Sequence, residues 1–410
     1  MMGLMNFFSN LLANLSPKKR IFLDYASATP VLHEVGKGMV KYFSCEFYNP
    51  SAIYQEGVSV KKEVEDYRTR LARLLGITNK DIIFTGSGTE SVNLAILGAF
   101  EESKKVFKRP HIIVSAIEHS AVMAAAEEVV RRGGEMSVLP VDEEGVISIE
   151  ALKKMLKRTT FVVSIGLANS EIGVIQPVAK VGRLLREIRK IRSHDSANFP
   201  YPLLHSDASA APGYLNVNLE SLQCDLVTLD GAKIYGPKGV GILAVRRGVK
   251  LRPIILGGGQ EQGRRAGTAN PALIAGFTIA LEIAVRDREK ECERLENLRQ
   301  YFIERMIKDL PHAIVNGSTE HHLPNIVSVS VPGILSELLL LKLDREGVLV
   351  SVGTTCSLDE RVSGSPVITA LGKPELAEST LRFSFGRFTT EREVKEAVEI
   401  FCRLGLKVIK

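Results

Sequence analysis

Lys233 and Cys356 are the two residues whose type and setting could supply a nucleophile. Lys233 follows a predicted buried strand and precedes a Gly-Pro turn, so burial could remove its charge and make it a Schiff-base nucleophile. The alternative is an ordinary loop lysine, as we expect Lys238 to be. Cys356 lies among glycine, hydroxyl-bearing and charged residues, a composition typical of an exposed loop. Because free cysteines are usually buried, an exposed one indicates a thiol that takes part in a reaction.

The segment Thr85-Gly86-Ser87-Gly88-Thr89-Glu90-Ser91 lies where a predicted strand ends and a helix begins. Backbone N–H groups, the positive end of the helix dipole and the hydroxyls could cradle a phosphate. The third glycine of a dinucleotide-binding GxGxxG motif would fall at Ser91, so that motif is excluded. A well-capped helix without a ligand explains this segment equally well.

Asp207 ends one predicted strand and His119 follows another, so both should lie at the ligand-binding edge of the sheet. A carboxylate without a partner is costly at that position, so Asp207 is expected to meet a cation such as a pyridinium nitrogen. Alternatively, Asp207 could be the N-cap of the next segment and have no ligand. His119 could stack on a flat ring or move protons, and a purely structural histidine is its alternative.

Short apolar runs alternate with amphipathic helices over most of the chain. This alternation predicts an α/β fold with a mainly parallel sheet that is covered by helices on both faces. In such sheets, ligands bind beyond the carboxyl ends of the strands. The predicted strands of this sheet are 81–85, 111–115, 161–165, 203–207, 225–229 and 240–245.

The character of the sequence changes after Gly267. A long charged helix is predicted over 272–310, and it is followed by short strands near 325–331, 348–351 and 381–385 and by a closing helix. We therefore predict three parts, namely a large domain, a smaller α+β domain and an N-terminal extension. The large domain comprises residues 35–270. The smaller domain comprises residues 21–34 together with 271–410, and the extension comprises residues 1–20.

The composition is that of a globular protein, with 410 residues, 45% hydrophobic and 24% charged, and it excludes disorder and fibrous repeats. The net charge of +6 is spread along the whole chain, so we expect no direct nucleic-acid partner.

Five widely spaced cysteines without a CxxC pair argue against a disulfide framework or a zinc site and favour a reducing, cytoplasmic location. No apolar run is long enough for a transmembrane segment. The amphipathic first 20 residues could dock on a membrane surface or a partner, or be dispensable.

Collinear motifs from about Ile21 to the last helix resemble those of the cysteine desulfurases. These enzymes form the NifS/IscS-like branch of the class V aminotransferase family, and they are fold type I enzymes that use pyridoxal 5′-phosphate. The motifs are, in order, FLDYA, NPS, FTGSGTES, AIEHSAV, NSEIGVIQP, HSDAS, AKIYGPKGVG, GGGQEQGRRAGT, Cys356 and LRFSFGRFTT.

The resemblance implies a role toward the cofactor for five candidate residues. Lys233 would bind pyridoxal phosphate covalently, His119 would stack on its ring, and Asp207 would pair with the ring nitrogen. That pairing would keep the nitrogen protonated, so that the ring can act as an electron sink. Gly88 and Thr89 would hold the phosphate.

The resemblance also implies roles toward the substrate and a second subunit. Thr268 would reach the phosphate bound to the other subunit, so a homodimer is expected. Arg382 would hold the substrate carboxylate through two parallel hydrogen bonds, and Asn169 and Ser170 would belong to the same substrate-binding site. Cys356 would be the catalytic thiol that takes the sulfur.

Five positions depart from the family pattern, and they cluster in the expected cofactor pocket. The family's serine three positions before the Schiff-base lysine is Asp230 here, an expected cofactor-binding residue that brings a negative charge nearer the phosphate. The histidine before that lysine is Ala232, which removes a donor on the phosphate side. Ala210 and Ser170 replace a glutamine and an asparagine, and each change removes a hydrogen bond worth about 0.5–1.5 kcal/mol. Tyr54 replaces a histidine.

The reaction that the resemblance implies is conversion of L-cysteine to L-alanine. The sulfur would remain as a persulfide on Cys356 until an acceptor protein takes it, such as a scaffold for iron–sulfur cluster assembly or a tRNA-thiolation protein. One alternative is a selenocysteine lyase or a related class V aminotransferase, and Cys356 favours sulfur chemistry over it. The second alternative is a degenerate, non-catalytic relative that binds other proteins.

Overall fold

The computed structural model describes residues 20–195, 200–353 and 364–409. Cys356 and nearly all of the predicted N-terminal extension lie outside these ranges. In the described ranges the strands are, in chain order, β1 (Ile21–Phe22), β2 (Ile82–Thr85), β3 (His111–Ser115), β4 (Glu135–Leu139), β5 (Thr160–Ser164), β6 (Leu203–Asp207), β7 (Leu226–Asp230), β8 (Gly241–Val245), β9 (Ile314–Asn316), β10 (Ile326–Ser330), β11 (Val348–Leu349), β12 (Ser351–Val352) and β13 (Thr380–Ser384).

The helices of the same ranges lie between and after these strands. They are α1 (His33–Met39), α2 (Lys41–Ser44), α3 (Gln55–Leu75), α4 (Gly88–Ser103), α5 (Ser120–Arg131), α6 (Ile149–Met155), α7 (Val178–Asp195), α8 (Leu219–Leu222), α9 (Pro271–Asp309), α10 (Ser336–Arg345), α11 (Pro366–Ala370) and α12 (Glu391–Ile409). Short 3₁₀ turns cover Asn79–Asp81, Gly231–Lys233, Gln260–Gly263 and Pro374–Ser379.

A seven-stranded sheet forms the centre of the larger part of the molecule. Its strand order is β2-β8-β7-β6-β5-β3-β4. Only β8 runs against the other six strands, since it is antiparallel to both β2 and β7, while the remaining neighbours are parallel. The predicted mainly parallel α/β sheet is therefore confirmed, and the six parallel strands present their carboxyl ends at one edge.

Alternate residues of these strands enter two different hydrophobic cores, one on each face of the sheet. Ile113 and Leu204 pack with the core on one face, whereas Ile112 and Leu203 pack with the core on the other. Successive strand residues point to opposite faces, so the continuous apolar run of β3 is explained by helices that cover both sides.

A second, four-stranded sheet has the order β12-β13-β10-β9 and is antiparallel. Its core contains the aromatic side chains of Phe302, Phe383 and Phe401, which contact one another. The two-residue strand β1 pairs with β11 next to this core.

Helix α9 connects the two parts, because it has 39 residues and packs in both cores. Ala272 and Phe277 in its first half belong to the core of the large sheet, and Leu295 and Met306 in its second half belong to the core of the small sheet. The proposed domain boundary at residue 271 stays a prediction. Among the described helices, none is long and apolar enough to span a membrane.

Candidate active site at the carboxyl edge of the large sheet

Several of the expected site residues lie at or shortly after strand ends on one edge of the large sheet. Asp207 and Asp230 are the last residues of the neighbouring strands β6 and β7. Helix α4 begins at Gly88, three residues after β2 ends, and His119 lies just before α5. The common direction of these strands brings the side chains of distant sequence segments to a single edge.

Lys233 ends the 3₁₀ turn that follows β7, and Asp230 caps this turn by accepting a hydrogen bond from the Ala232 N–H (2.8 Å). The lysine Nζ donates to the carbonyl oxygens of Ala26 (2.9 Å) and Ser27 (2.5 Å). The turn is held further along by Tyr235, whose N–H donates to the hydroxyl of Thr29 (2.7 Å). The amine of Lys233 therefore points toward the N-terminal segment 24–29 rather than into solvent.

Arg382 reaches the same N-terminal segment from the small sheet. Its Nη2 donates to Asp24 Oδ1 (2.7 Å) and to Ser27 Oγ (2.7 Å), and its Nη1 donates to the carbonyl oxygen of Ser170 (2.9 Å). Arg382 is only 6% exposed, and its Nε is buried without a hydrogen-bond partner in the described chain. Ser27 thus accepts from Lys233 through its carbonyl and from Arg382 through its hydroxyl, which brings the two predicted residues to one place.

One carboxylate oxygen of Asp207 accepts a hydrogen bond, and the other has no described partner. Oδ1 accepts from the N–H of Ser209 (3.0 Å), which is the local turn contact that the capping interpretation expected. Within the described ranges, no hydrogen bond or ion pair engages Oδ2. Asp207 can therefore meet a cationic group at the edge of the sheet while its backbone turn stays intact.

Glu118 lies close to Asp207, and His119 is the next residue of the chain. The Nδ1 of His119 accepts from the Ala121 N–H (3.1 Å), so a neutral ring carries its proton on Nε2. Glu118 accepts from the Gly166 N–H (2.8 Å) through Oε1. Burial raises the pKa of Glu118 to about 8, and the nearby Asp207 carboxylate adds to this rise.

The turn before α4 is capped by groups of this chain. Ser87 is the N-cap and accepts from the Glu90 N–H (3.1 Å). The Gly86 N–H donates to Glu90 Oε2 (2.7 Å), and the Gly88 N–H donates to Asp230 Oδ2 (2.9 Å). The well-capped helix that was the alternative at this segment is therefore present, and Thr89 is exposed beside it.

Asn169 organises the turn that carries Ser170. Its Oδ1 accepts from the N–H groups of Glu171 (2.8 Å) and Ile172 (2.9 Å), and its Nδ2 donates to the carbonyl oxygen of Ile117 (2.9 Å). Ser170 contacts Arg382 through its carbonyl oxygen. Asn169 thus positions the turn against Arg382, and a direct contact of Asn169 or Ser170 with the substrate stays a prediction.

Thr268 is exposed and lines a cavity of about 220 Å³ together with Gly86, Glu261 and Arg265. Arg265 also forms an ion pair with Glu90 in the first turn of α4 (2.8 Å). Thr268 therefore lies on the side of the predicted phosphate turn that is open to the surroundings, and its contact with a second subunit stays a prediction.

Three residues of this site were not predicted to have a role, namely Asp24, Ser27 and Glu118. Asp24 and Ser27 bind Arg382, and the carbonyl of Ser27 binds Lys233. They lie in the FLDYA motif and directly after it, so the motif was the available signal. Glu118 had only its position next to His119 as a signal, since nothing local distinguishes a buried glutamate from a surface one.

The family model of the class-V aminotransferases matches residues 21–397, and the chain belongs to this family. Among curated proteins, the chain is 38% identical over 390 residues to the cysteine desulfurase IscS of Dictyoglomus turgidum, an alignment that covers 94% of this chain and 95% of that protein. A solved structure described as a NifS-like protein matches with a TM-score of 0.85 and 32% identity, covering 94% of this chain and 98% of that one. A structure described as SspA in complex with cysteine matches with a TM-score of 0.74 and 28% identity, covering 90% and 99% of the two chains.

Proposed function

We propose that this chain is a pyridoxal-phosphate-dependent cysteine desulfurase that converts L-cysteine to L-alanine and passes the sulfur on as a persulfide. The observation that carries the proposal is the convergence of Lys233 and Arg382 on Ser27. A lysine amine suits a carbonyl-bearing cofactor, and a guanidinium suits the carboxylate of an amino acid. The similarity to IscS and to a protein solved with bound cysteine supports cysteine as that amino acid.

Most of the residues at the edge of the sheet fit pyridoxal phosphate. Lys233 Nζ would hold the cofactor covalently, Asp207 Oδ2 is available for the ring nitrogen, and His119 would lie against the ring. Gly88, Thr89 and, from a second subunit, Thr268 would hold the phosphate. When bound, the cofactor supplies an electron sink that stabilises negative charge at the carbon bearing the substrate amine.

The chain's own groups would bind the substrate and move its protons. Arg382 would hold the carboxylate of cysteine, and its unpartnered Nε is a donor that this interaction would satisfy. Lys233 Nζ would carry the proton that leaves Cα. The thiolate of Cys356 would attack the substrate sulfur, so that an S–S bond forms while the Cβ–S bond breaks. Alanine results when Cβ takes up a proton and Cα regains the one that Lys233 carried.

The settings of the other cysteines support Cys356 as the sulfur acceptor. Burial raises the pKa of Cys224 and of Cys292, and it raises the pKa of Cys402 to about 11. These three thiols are therefore poor thiolate nucleophiles at neutral pH. Cys45 is exposed and is the internal competitor that an experiment must distinguish from Cys356.

A homodimer and a protein acceptor complete the proposal. Thr268 would complete the phosphate site of a second copy of the chain, so loss of the dimer should loosen the cofactor. The acceptor would be a sulfur-receiving protein, such as a scaffold for iron–sulfur cluster assembly, as the name of the IscS relatives suggests. A cytoplasmic location agrees with a catalytic thiol, because a reducing compartment keeps free cysteines from forming disulfides.

A lysine pair within the chain gives a direct test. Purified protein would be loaded with pyridoxal phosphate, supplied with L-cysteine and assayed for alanine, with Lys233→Ala compared to Lys238→Ala. Lys238 lies in the same loop and also donates to the N-terminal segment, at Thr29 O (2.5 Å). We expect alanine from the wild type and Lys238→Ala only, and borohydride reduction should place a pyridoxyl group on Lys233. A pyridoxyl group on Lys238, or alanine production by Lys233→Ala, would contradict the proposal.

A further inference from the structure

The start of helix α4 already holds a carboxylate of this chain. The N–H of Gly88 donates to Asp230 Oδ2 (2.9 Å), and the other oxygen, Oδ1, accepts from Ala232 N–H (2.8 Å). A Cβ atom placed on Gly88 would lie 3.0 Å from Asp230 Oδ2 and 3.2 Å from Ser209 Oγ. The carboxylate of Asp230 therefore fills the space directly against the first residue of the helix.

Asp230 is also one of two carboxylates at this helix start, and it is the one without a salt bridge in the described ranges. A second carboxylate, that of Glu90, accepts from Gly86 N–H, but it is neutralised by an ion pair with Arg265 (2.8 Å). Asp230 forms no salt bridge with any residue that the structure describes. The positive end of the helix dipole and the N–H groups of Gly88 and Ala232 thus stabilise the Asp230 carboxylate.

A phosphate at the same helix start requires these same groups. A bound phosphate would have to take the Gly88 N–H from Asp230, and its own negative charge would be repelled by the carboxylate that remains nearby. A neutral residue at position 230 would remove this repulsion and would hold the Gly88 N–H less strongly than a carboxylate does. Asp230 therefore opposes phosphate binding both by occupying a donor and by its charge.

We propose that Asp230 is an internal competitor for the phosphate group of the cofactor and lowers the affinity of this chain for phosphorylated pyridoxal. The inference rests on the proposed function, because it assigns the phosphate to the start of α4. It implies that the chain discriminates less between pyridoxal phosphate and unphosphorylated pyridoxal than a relative with a neutral side chain at this position.

Two substitutions and one control test the competitor directly. Asp230→Asn keeps the shape and one acceptor oxygen while removing the charge, and Asp230→Ser also shortens the side chain. Glu150→Gln is the matched control, since Glu150 is an exposed carboxylate on α6 that pairs with Lys153. Apoprotein of each variant would be titrated with pyridoxal phosphate and, separately, with pyridoxal, and binding would be followed by absorbance.

We expect the dissociation constant for pyridoxal phosphate to fall about tenfold or more in both Asp230 variants and to stay unchanged in Glu150→Gln. The dissociation constant for pyridoxal should change less than twofold in all of them. Unchanged or weaker binding of pyridoxal phosphate in both Asp230 variants would overturn the proposal. An equal gain for pyridoxal would also overturn it, because the effect would then not involve the phosphate.

Inorganic phosphate alone provides a readout that does not depend on the cofactor. Phosphate should raise the melting temperature of Asp230→Asn and leave those of the wild type and Glu150→Gln unchanged, whereas no shift in Asp230→Asn would contradict the proposed competition. A wild-type chain that binds neither pyridoxal phosphate nor pyridoxal would instead overturn the proposed function. The two failures are therefore distinguishable.

Discussion

Replacement of Arg382 by lysine should weaken binding of the substrate carboxylate while leaving the cofactor in place. The guanidinium donates to Ser170 O, Asp24 Oδ1 and Ser27 Oγ, and its Nε is still without a partner. Lysine keeps the positive charge but has a single nitrogen, so it cannot keep the contacts with Asp24 and Ser170 and also bind a carboxylate through two parallel bonds.

The size of this effect follows from the bond that is lost. A hydrogen bond to a charged group contributes about 1.5–3 kcal/mol, which corresponds to a roughly 10- to 150-fold change in an equilibrium constant. We therefore expect the KM for L-cysteine to rise by about this factor in Arg382→Lys, with a smaller change in kcat. Alanine release measured over a range of cysteine concentrations gives both quantities.

Arg299→Lys is the matched control for this substitution. Arg299 is also a poorly exposed arginine that bonds a backbone carbonyl, Ile326 O, and a carboxylate, Glu296, but it lies on α9 away from Ser27. The control should keep the wild-type KM. If Arg382→Lys retains the cofactor absorbance and its KM for cysteine stays within twofold of the wild type, Arg382 does not hold the substrate carboxylate.

Three further predictions concern stability and assembly. Arg68→Met should lower the free energy of unfolding in urea by about 3–5 kcal/mol, because it leaves the buried carboxylate of Glu261 without its bidentate partner (2.7 and 2.8 Å), and a loss below 1 kcal/mol would contradict this. The pKa of Glu118 is raised to about 8 by burial, so the folded state binds a proton that the unfolded state releases, and stability should fall as the pH rises from about 4.5 to 8. Glu118→Gln should flatten this fall in urea midpoints measured across that range, whereas an unchanged slope would exclude Glu118 as its source. Thr268→Ala should release pyridoxal phosphate more readily on gel filtration without altering the monomer fold seen by circular dichroism, and unchanged cofactor retention would remove Thr268 from the phosphate site.

The strand ends could be predicted from the sequence because their signal is local. The apolar run that ends at Asp207 and the run before Lys233 each show where the strand ends. The six strands predicted for the large sheet agree with the structure to within one residue. The helix α3, by contrast, was not predicted. Charged and polar residues make up most of its sequence, so the apolar runs that identified the other elements are missing there.

The contacts that complete the site could not be predicted from local patterns. Ser27 meets Arg382 across 355 positions of sequence, and Gly88 meets Asp230 across 142. Such contacts depend on the packing of β1 beside the small sheet and on the adjacent placement of β7 and α4. The sequence indicated a helix start that could bind an anion, and only the folded chain revealed which anion of its own lies there.

The most direct test of the central claim is mass spectrometry of the cysteine-containing peptides after incubation of the cofactor-loaded protein with L-cysteine. Alkylation before digestion would preserve a persulfide, and Cys356→Ser would serve as the paired sample. We expect a gain of one sulfur atom on the Cys356 peptide, accompanied by alanine, and no gain in the variant. A gain confined to the exposed Cys45, or alanine formed at the wild-type rate by Cys356→Ser, would contradict it.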